Sequence, residues 1–539
     1  MNKTLLHHFD SIGCDKYCKL LIGIEHDLNY LKELLGEKKV KKGINILDAL
    51  FCKIDYLLVY VKNIVRMGYG SKETNDELNK LYELQDECNR LLDTTIELVL
   101  SSPDFCQIDK KYYFYLNEVW ESKTIEDETQ NDIKVSLEKY QSILNERHFG
   151  ISLSEIWNIY KEKSKTEFDF SHSKLNSIYG RNISLLNDLY IKIKKYQLEV
   201  MKKAGYDNSL EFIAKKYSVD FDSINVMTNN AHIFLFEILS KGNRFDWAPN
   251  GVLMELLRNA DDDSCTISFE EAIDFLSCIF RELDENFADM VIRAKEDNWI
   301  DYSKHDGKMN GSYTNNILYT GESIISMTFE NTIRGMCKLA HELGHAYHGF
   351  CVYKRGYFCS DFSVITAEAF GLFCENYALV KFIMEKRYFQ YKRELYSCVI
   401  DTFFVNIKAF LFEYYSFATL RNSGDFDSNM AFKDVLNKIG LKNTSVMEQS
   451  EWIFRTQNFF PDYFYYNFVY IMGEAIALKM LLYLLDGKIE FSEVKSILKE
   501  SGQKNVNLLF DSIGINLHDK ELYNVKDELD AIWDCVLNS

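Results

Sequence analysis

The chain has 539 residues, 47% hydrophobic and 27% charged, which is ample apolar material for a large buried core. Its formal net charge of −19 argues against a nucleic-acid backbone or an anionic lipid surface as the main partner, because both need a basic face. The opening MNKTLLHHFDSIG lacks an apolar core of signal-peptide length, and no apolar run reaches about 18 residues, so a cytoplasmic protein with no membrane partner is expected.

Thirteen cysteines, an odd number without repeated spacing, read as reduced thiols in a cytosolic setting. Prolines occur only at Pro103, Pro249 and Pro461, which leaves long helices unobstructed. Residues 1 to about 175 read as helix after helix. Leu28, Leu31, Leu34 and Leu35 mark one apolar face, and Leu78, Leu81, Cys88, Leu91, Leu92, Ile96 and Val99 mark another. The heptads are not sustained, so a helical hairpin or prong is expected rather than a coiled coil. His7, His8, His26, His148 and His172 lie here singly or as one adjacent pair. Adjacent residues do not face the same way on a helix, so His7 and His8 alone are not expected to hold a metal.

From Asn176 to Asn230 the pattern stays helical, broken at Lys203–Phe212 by a Gly and an Asp-Asn-Ser cluster that predict a turn. Phe245–Ser264, with Pro249, Gly251 and the acidic run Asp261–Asp263, is the expected linker. Ser268 and Glu271 then form a capping-box signature for a helix carrying Ala272, Phe275, Leu276 and Ile279 on one face. Asn298–Tyr313 reads as loop. Ile317–Tyr319 and Ser323–Phe329 flank a Thr320-Gly321-Glu322 turn and predict a small β-hairpin. An edge strand there could accept an extended peptide, or the hairpin could serve packing alone.

Leu339–Gly349 reads LAHELGHAYHG, with His341, Glu342 and His345 in the order H-E-x-x-H on a helix expected to start near Thr332. The i, i+4 spacing stacks the two imidazoles on one face, where they can share one zinc ion, and sets Glu342 beside them to handle a water. Catalytic zinc usually takes a third protein ligand. Downstream, Thr366–Tyr377 carries Glu368 and Glu375 seven apart on one helical face, and the small Ala367, Ala369 and Gly371 permit a close helix approach. Glu368 is the expected third ligand, and Glu375 the acceptor for a ligand histidine's other N–H. Both could instead be surface glutamates, but the apolar neighbours Phe370, Leu372 and Phe373 count against that. His348, one turn past His345, is expected to be a packed or hydrogen-bonded histidine beside the site rather than a ligand.

In Asn458–Lys479, Tyr463, Tyr466 and Tyr470 fall at i, i+3 and i+7, and would line one helical face. A phenol aimed at a scissile carbonyl can stabilise the oxyanion formed when water attacks, although aromatic stripes are more often core.

Taken together these landmarks resemble, in order, those of the thimet oligopeptidase and oligoendopeptidase F family of zinc metallopeptidases, and more closely the oligoendopeptidase F branch. They are AGYDNSLEF at Ala204–Phe212, NWID at Asn298–Asp301, GKMNGSY at Gly307–Tyr313, LAHELGHAYH at Leu339–His348, AEAFGLFCE at Ala367–Glu375, the tyrosine-rich segment ending near Gly473, and Glu500–Leu517. The resemblance implies a mainly α fold, with two helical lobes enclosing a deep substrate channel and a small β-hairpin or sheet beside the zinc-binding helix. Residues 1–175 would be a helical prong or lid and residues 176–539 the catalytic region.

The resemblance further implies a zinc endopeptidase for short unstructured peptides, a monomer or homodimer, with one Zn2+ per chain. His341, His345 and Glu368 would be its ligands, Glu342 the general base, and Tyr470 and Tyr463 donors to the carbonyl. Glu375 and His348 would support the ligands, and Gly311, Tyr313 and Tyr466 would meet substrate. This chain departs from the family twice. Asn458, Phe459 and Phe460 stand where a histidine usually precedes the tyrosines, and Asn467 occupies a family tyrosine position. A processing peptidase dedicated to one peptide or leader, and a non-catalytic peptide-binding relative, are the alternative readings.

Overall fold

The structure, a computed structural model, describes residues 3–101, 112, 143, 172–240, 266–305, 308, 311–386, 392–422, 426–439, 449 and 451–538. The expected linker Phe245–Ser264 and most of the region 102–171, including His148, lie outside the described residues.

The chain begins with α1 (Lys3–His8), α2 (Asp15–Gly36), α3 (Val40–Arg66) and α4 (Lys72–Ser101). α3 packs against both α2 and α4. It does so through Ile44, Leu47, Phe51, Ile54, Leu58, Val61 and Ile64, which recur every three or four residues and are buried. The apolar face anticipated for α4 is buried at Leu81, Cys88, Leu92, Ile96 and Val99.

Next come α5 (His172–Lys203), α6 (Ser209–Lys216) and α7 (Phe221–Ser240). The turn between α5 and α6 is made by Gly205 at φ 82° and by Asn208, whose side chain accepts from the Leu210 N–H. α8 (Phe269–Leu283) opens with the expected Ser268–Glu271 capping box, and α9 (Glu285–Glu296) follows.

A three-stranded sheet comes next: β1 (Ile300–Asp301), β2 (Tyr313–Ile317) and β3 (Glu322–Ser326), in the order β1-β3-β2. The hairpin is present, but its first strand begins at Tyr313, four residues earlier than its sequence pattern predicts. β1 lies in a stretch expected to be loop. Only two residues long, it is held parallel to β3 by a pairing of distant sequence segments that no local pattern reveals.

Helices α10 (Ile333–Val352), α11 (Val364–Lys386), α12 (Lys392–Asn422), α13 (Ser428–Lys438), α14 (Asn467–Leu485), α15 (Phe491–Glu500), α16 (Val506–Asp511) and α17 (Val525–Asn538) complete the chain. Buried apolar side chains form two clusters. The larger joins α5–α17, and the smaller joins the N-terminal helices to Ile317 and Ile324 of the hairpin.

α14 is apolar on nearly every side and buried throughout most of its length. By length and composition it could cross a bilayer, contrary to the expectation that no such run exists, yet it sits inside the fold against α11, α12 and α17. Its Glu474 is 1% exposed and accepts a hydrogen bond from Asn376 Nδ2 at 2.7 Å. Burial, aided by nearby Glu375, pushes this carboxyl up to about 8. The folded chain therefore holds a proton on Glu474 that the unfolded chain releases near 4.5, so its stabilising contribution is full below pH 4.5 and is lost as pH rises through 8. Glu474→Gln keeps the Asn376 contact without that loss. Its stability should match the parent at acid pH and exceed it increasingly toward pH 8, by about 1.4 kcal/mol per pK unit and a few kcal/mol in all. Denaturant melts across pH check this; a pH-independent difference would contradict it.

Candidate metal centre

α10 is capped by Thr332, whose hydroxyl accepts from the Gly335 N–H at 3.0 Å, and it carries His341 and His345 on one face. Their Nε2 atoms stand 3.0 Å apart with ring planes at 84°. Glu368, on α11, brings Oε2 to 3.3 Å from His341 Nε2 and 3.8 Å from His345 Nε2. Glu375 Oε2 stands 3.3 Å from His341 Nδ1.

This convergence needs close backbone approach, and glycines provide it. A Cβ on Gly371 would lie 2.9 Å from the His341 ring. One on Gly344 would lie 3.0 Å from Cys374 Sγ, and one on Gly473 would lie 3.2 Å from the Ala369 backbone nitrogen. Three helices, α10, α11 and α14, are thereby drawn together around one carboxylate and two imidazoles.

These buried groups set one another's charge. Burial acts to raise the Glu368 carboxyl, but His341, His345 and Tyr470 outweigh it and hold the group ionised. Burial likewise opposes charge on His341, yet Glu368 and Glu375 push it well above its usual value. Burial and His341 together lower His345. Glu368 Oε2 and His341 Nδ1 are buried and lack a hydrogen-bond partner among the described residues. Ligands held about 2.0–2.1 Å from a tetrahedral zinc stand about 3.3 Å apart. Separations of 3.0, 3.3 and 3.8 Å therefore fit a shared ion.

Glu342 is buried and points to β2, where Thr314 Oγ1 donates to its Oε2 at 2.6 Å and lies 3.0 Å from its backbone carbonyl. Sequence reading missed Thr314. The only available signal was its place directly after the GKMNGSY landmark, because the contact spans a loop and two elements. Two residues on, Asn316 Nδ2 donates to the His345 carbonyl at 3.1 Å. A Cβ on Gly349 would sit 2.2 Å from the Asn316 side chain, so α10 and β2 close together only over a glycine. With alternation along a strand, Tyr313 and Asn315 point the other way, to α3. Arg66 lies 5.1 Å from the Tyr313 ring, and Asn315 Nδ2 is 3.5 Å from Asn63 Oδ1. Gly311, at φ 100°, turns the chain into this strand.

The tyrosines do not form one helical stripe. α14 begins at Asn467, so only Tyr470 is helical; Pro461 and Tyr465, at φ 52°, keep the preceding segment irregular. Gln197 of α5 anchors that segment by donating to the Pro461 carbonyl at 2.8 Å and the Tyr463 carbonyl at 3.1 Å. The three rings still gather, with centroids 4.4 Å apart for Tyr463 and Tyr466 and 5.7 Å for Tyr466 and Tyr470. Burial, with Glu368 and Tyr466 adding, keeps the Tyr470 phenol well above its usual value, so it is a proton-bearing donor.

His348 turns away from the cluster. Its Nε2 is 2.8 Å from Ser501 Oγ, its ring stacks on Phe362, and burial lowers it to about 3. Asn458 is buried and its Nδ2 donates to the Trp452 carbonyl at 2.9 Å. Asn467 is buried with no hydrogen-bond partner on Oδ1 among the described residues.

No protein-family model matches the chain. It is 29% identical over 108 residues, 20% of its length, to Oligopeptidase PepF of Bacillus subtilis. It is 24% identical over 242 residues, 42% of its length, to Group B oligopeptidase PepB of Streptococcus agalactiae. The matched stretches span 16% and 39% of those relatives, less than two thirds of either. Among solved structures, PZ peptidase A with an inhibitor has a TM-score of 0.74 at 12% identity, covering 97% of both chains. The oligoendopeptidase-F of Enterococcus faecium has a TM-score of 0.58 at 12% identity, covering 96% of this chain and 100% of that one. At these identities the structures speak to the fold alone. With the curated relatives, they support the resemblance to the oligoendopeptidase F family read from the motifs.

The Gly371 contact yields a direct test. Ala normally stabilises a helix relative to Gly by about 1 kcal/mol. At this position the added methyl meets an enclosed ring, and overpacking of about 1–3 kcal/mol should win. Gly371→Ala is expected to lower the midpoint of urea unfolding; a gain in stability would show that the His341 ring yields freely.

Proposed function

We propose that the chain is a zinc-dependent endopeptidase acting on short, unstructured peptides, with residues 1–175 as a helical flank and residues 176–539 as the catalytic region. The observation that carries the proposal is the convergence of His341, His345 and Glu368 within 4.8 Å of one another, beside the buried Glu342. His341, His345 and Glu368 would hold the ion. When bound there, zinc supplies Lewis acidity that polarises a peptide carbonyl and eases deprotonation of water near neutral pH.

The remaining work falls to side chains. Glu342 takes the proton of the attacking water and returns it to the leaving amine. Thr314 orients that carboxylate by donating to Oε2, leaving Oε1 for the water. Tyr470, with Tyr463, donates to the oxygen that gains charge. β2 is the edge of its sheet and runs past the site, so an extended peptide can add to it through backbone hydrogen bonds, next to Tyr313 and Gly311. Glu375 holds His341 from the side opposite Glu368. Net charge and the burial of α14 fit a cytoplasmic enzyme with neither nucleic acid nor membrane as partner.

A second reading is favoured by Asn458 and Asn467. Each replaces the imidazole or phenol that the family usually carries with a carboxamide, which suits an enzyme dedicated to one peptide. Mass spectrometry of a mixed peptide library, with and without chelator, separates the two: broad cleavage favours the general oligopeptidase, cleavage of a single added partner the dedicated one.

Glu342→Gln is expected to retain metal and lose activity by at least about a hundredfold. Thr314→Val should lose roughly tenfold through a misplaced base, with KM little changed. Glu368→Ala should lose metal on dialysis. Metal analysis alongside peptide assays reads all three, and full hydrolysis by Glu342→Gln would overturn the mechanism.

A further inference from the structure

Among the described residues a second group of donors has the same composition as the first: His7 and His8 at the end of α1, and Glu322 at the start of β3. Glu322 Oε2 is 3.6 Å from His7 Nε2 and 3.8 Å from His8 Nδ1, and all three donor atoms lie within 4.8 Å of one another. The two imidazoles meet edge to face, 5.0 Å apart at 76°. As adjacent helical residues they were not expected to converge; the end of α1 and the third donor from a distant strand bring them together.

Two observations separate this group from an ordinary polar contact. The His8 side chain is fully buried, yet neither ring nitrogen has a hydrogen-bond partner among the described residues. The carboxylate–imidazole distances are too long for hydrogen bonds but suit ligands of one ion. The positive groups nearby do not cover the donors. Lys16 Nζ donates to the His8 carbonyl at 2.7 Å, and Arg293 takes the other oxygen of Glu322, Oε1, at 2.5 Å.

We propose that His7, His8 and Glu322 form a second transition-metal site, of a class suited to Zn2+ or Co2+, independent of the proposed catalytic centre. Bound there, the ion would tie α1 to β3. β3 pairs with β2, which carries Thr314 onto Glu342. The site would thus staple the N-terminal helices to the strand that braces the catalytic region.

The test uses the full chain with His341→Ala and His345→Ala, which removes the first group, stripped with chelator and titrated with Co2+ by visible absorption and with Zn2+ by calorimetry. One equivalent per chain is expected, with a zinc-induced rise in melting temperature. Adding His7→Ala should abolish both. So should adding Glu322→Gln, which keeps an acceptor for Arg293; circular dichroism without metal confirms that each variant folds. Absence of binding in the double variant, or binding that survives both additional substitutions, overturns the proposal. Neither result depends on whether the first group binds metal, which the unsubstituted chain reports separately.

Discussion

The arrangement depends on the packing of one carboxylate against two imidazoles inside the fold. Glu368 is nearly buried, and an ionised buried carboxylate is tolerated only when matched by positive charge. Here the match is partial: His341 lies between Glu368 and Glu375, while His345 is driven toward neutrality. The cluster of one ionised carboxylate and two imidazoles is of the kind that a divalent cation would complete. Gly344, Gly371 and Gly473 carry a definite energetic role in this arrangement. They sacrifice helix propensity at three positions so that backbones approach closely enough for the charges to meet.

β2 links this centre to the rest of the molecule. Its alternate residues serve opposite neighbours. Thr314 and Asn316 engage α10, and Tyr313 and Asn315 reach α3 of the N-terminal layer. Ile317 of β2 and Ile324 of β3 belong to the N-terminal apolar cluster, whereas Ile325 belongs to the larger one. β2 therefore touches both the N-terminal helices and Glu342. Its outer edge stays unpaired among the described residues, the feature that suits it to receive an extended chain.

Much of this was legible in the sequence wherever the determinant was local and periodic. The capping box at Ser268, the turn at Gly205, the start of α10 at Thr332 and the shared face of Glu368 and Glu375 each depend on residues within two helical turns of one another. What was not legible depends on long-range contact. β1 exists because β3 lies beside it, and Thr314 matters because α10 presents Glu342 to it. The tyrosine segment failed in a different way. Spacings of three and seven fit a helix, but Pro461 and the positive φ of Tyr465 break the backbone there, and tertiary anchors from Gln197 and Ser209 fix it instead. The apolar length of α14 resembles a membrane span because the helix is core on nearly every side.

The departures at Asn458 and Asn467 bear on how charge on a scissile carbonyl would be met. Asn458 donates to the Trp452 carbonyl, Asn467 is buried in the first turn of α14, and neither brings an imidazole or a phenol to the site. The donors beside the cluster are phenols, stacked from Phe460 through Tyr463 to Tyr466 and meeting edge to face from Tyr466 to Tyr470. Burial is the main force keeping Tyr463, Tyr466 and Tyr470 protonated. A neutral phenol donates a hydrogen bond without placing a competing positive charge beside Glu368 and its partners. In this chain, stabilisation of a developing oxyanion would therefore fall to a neutral aromatic wall beside the cluster of His341, His345 and Glu368.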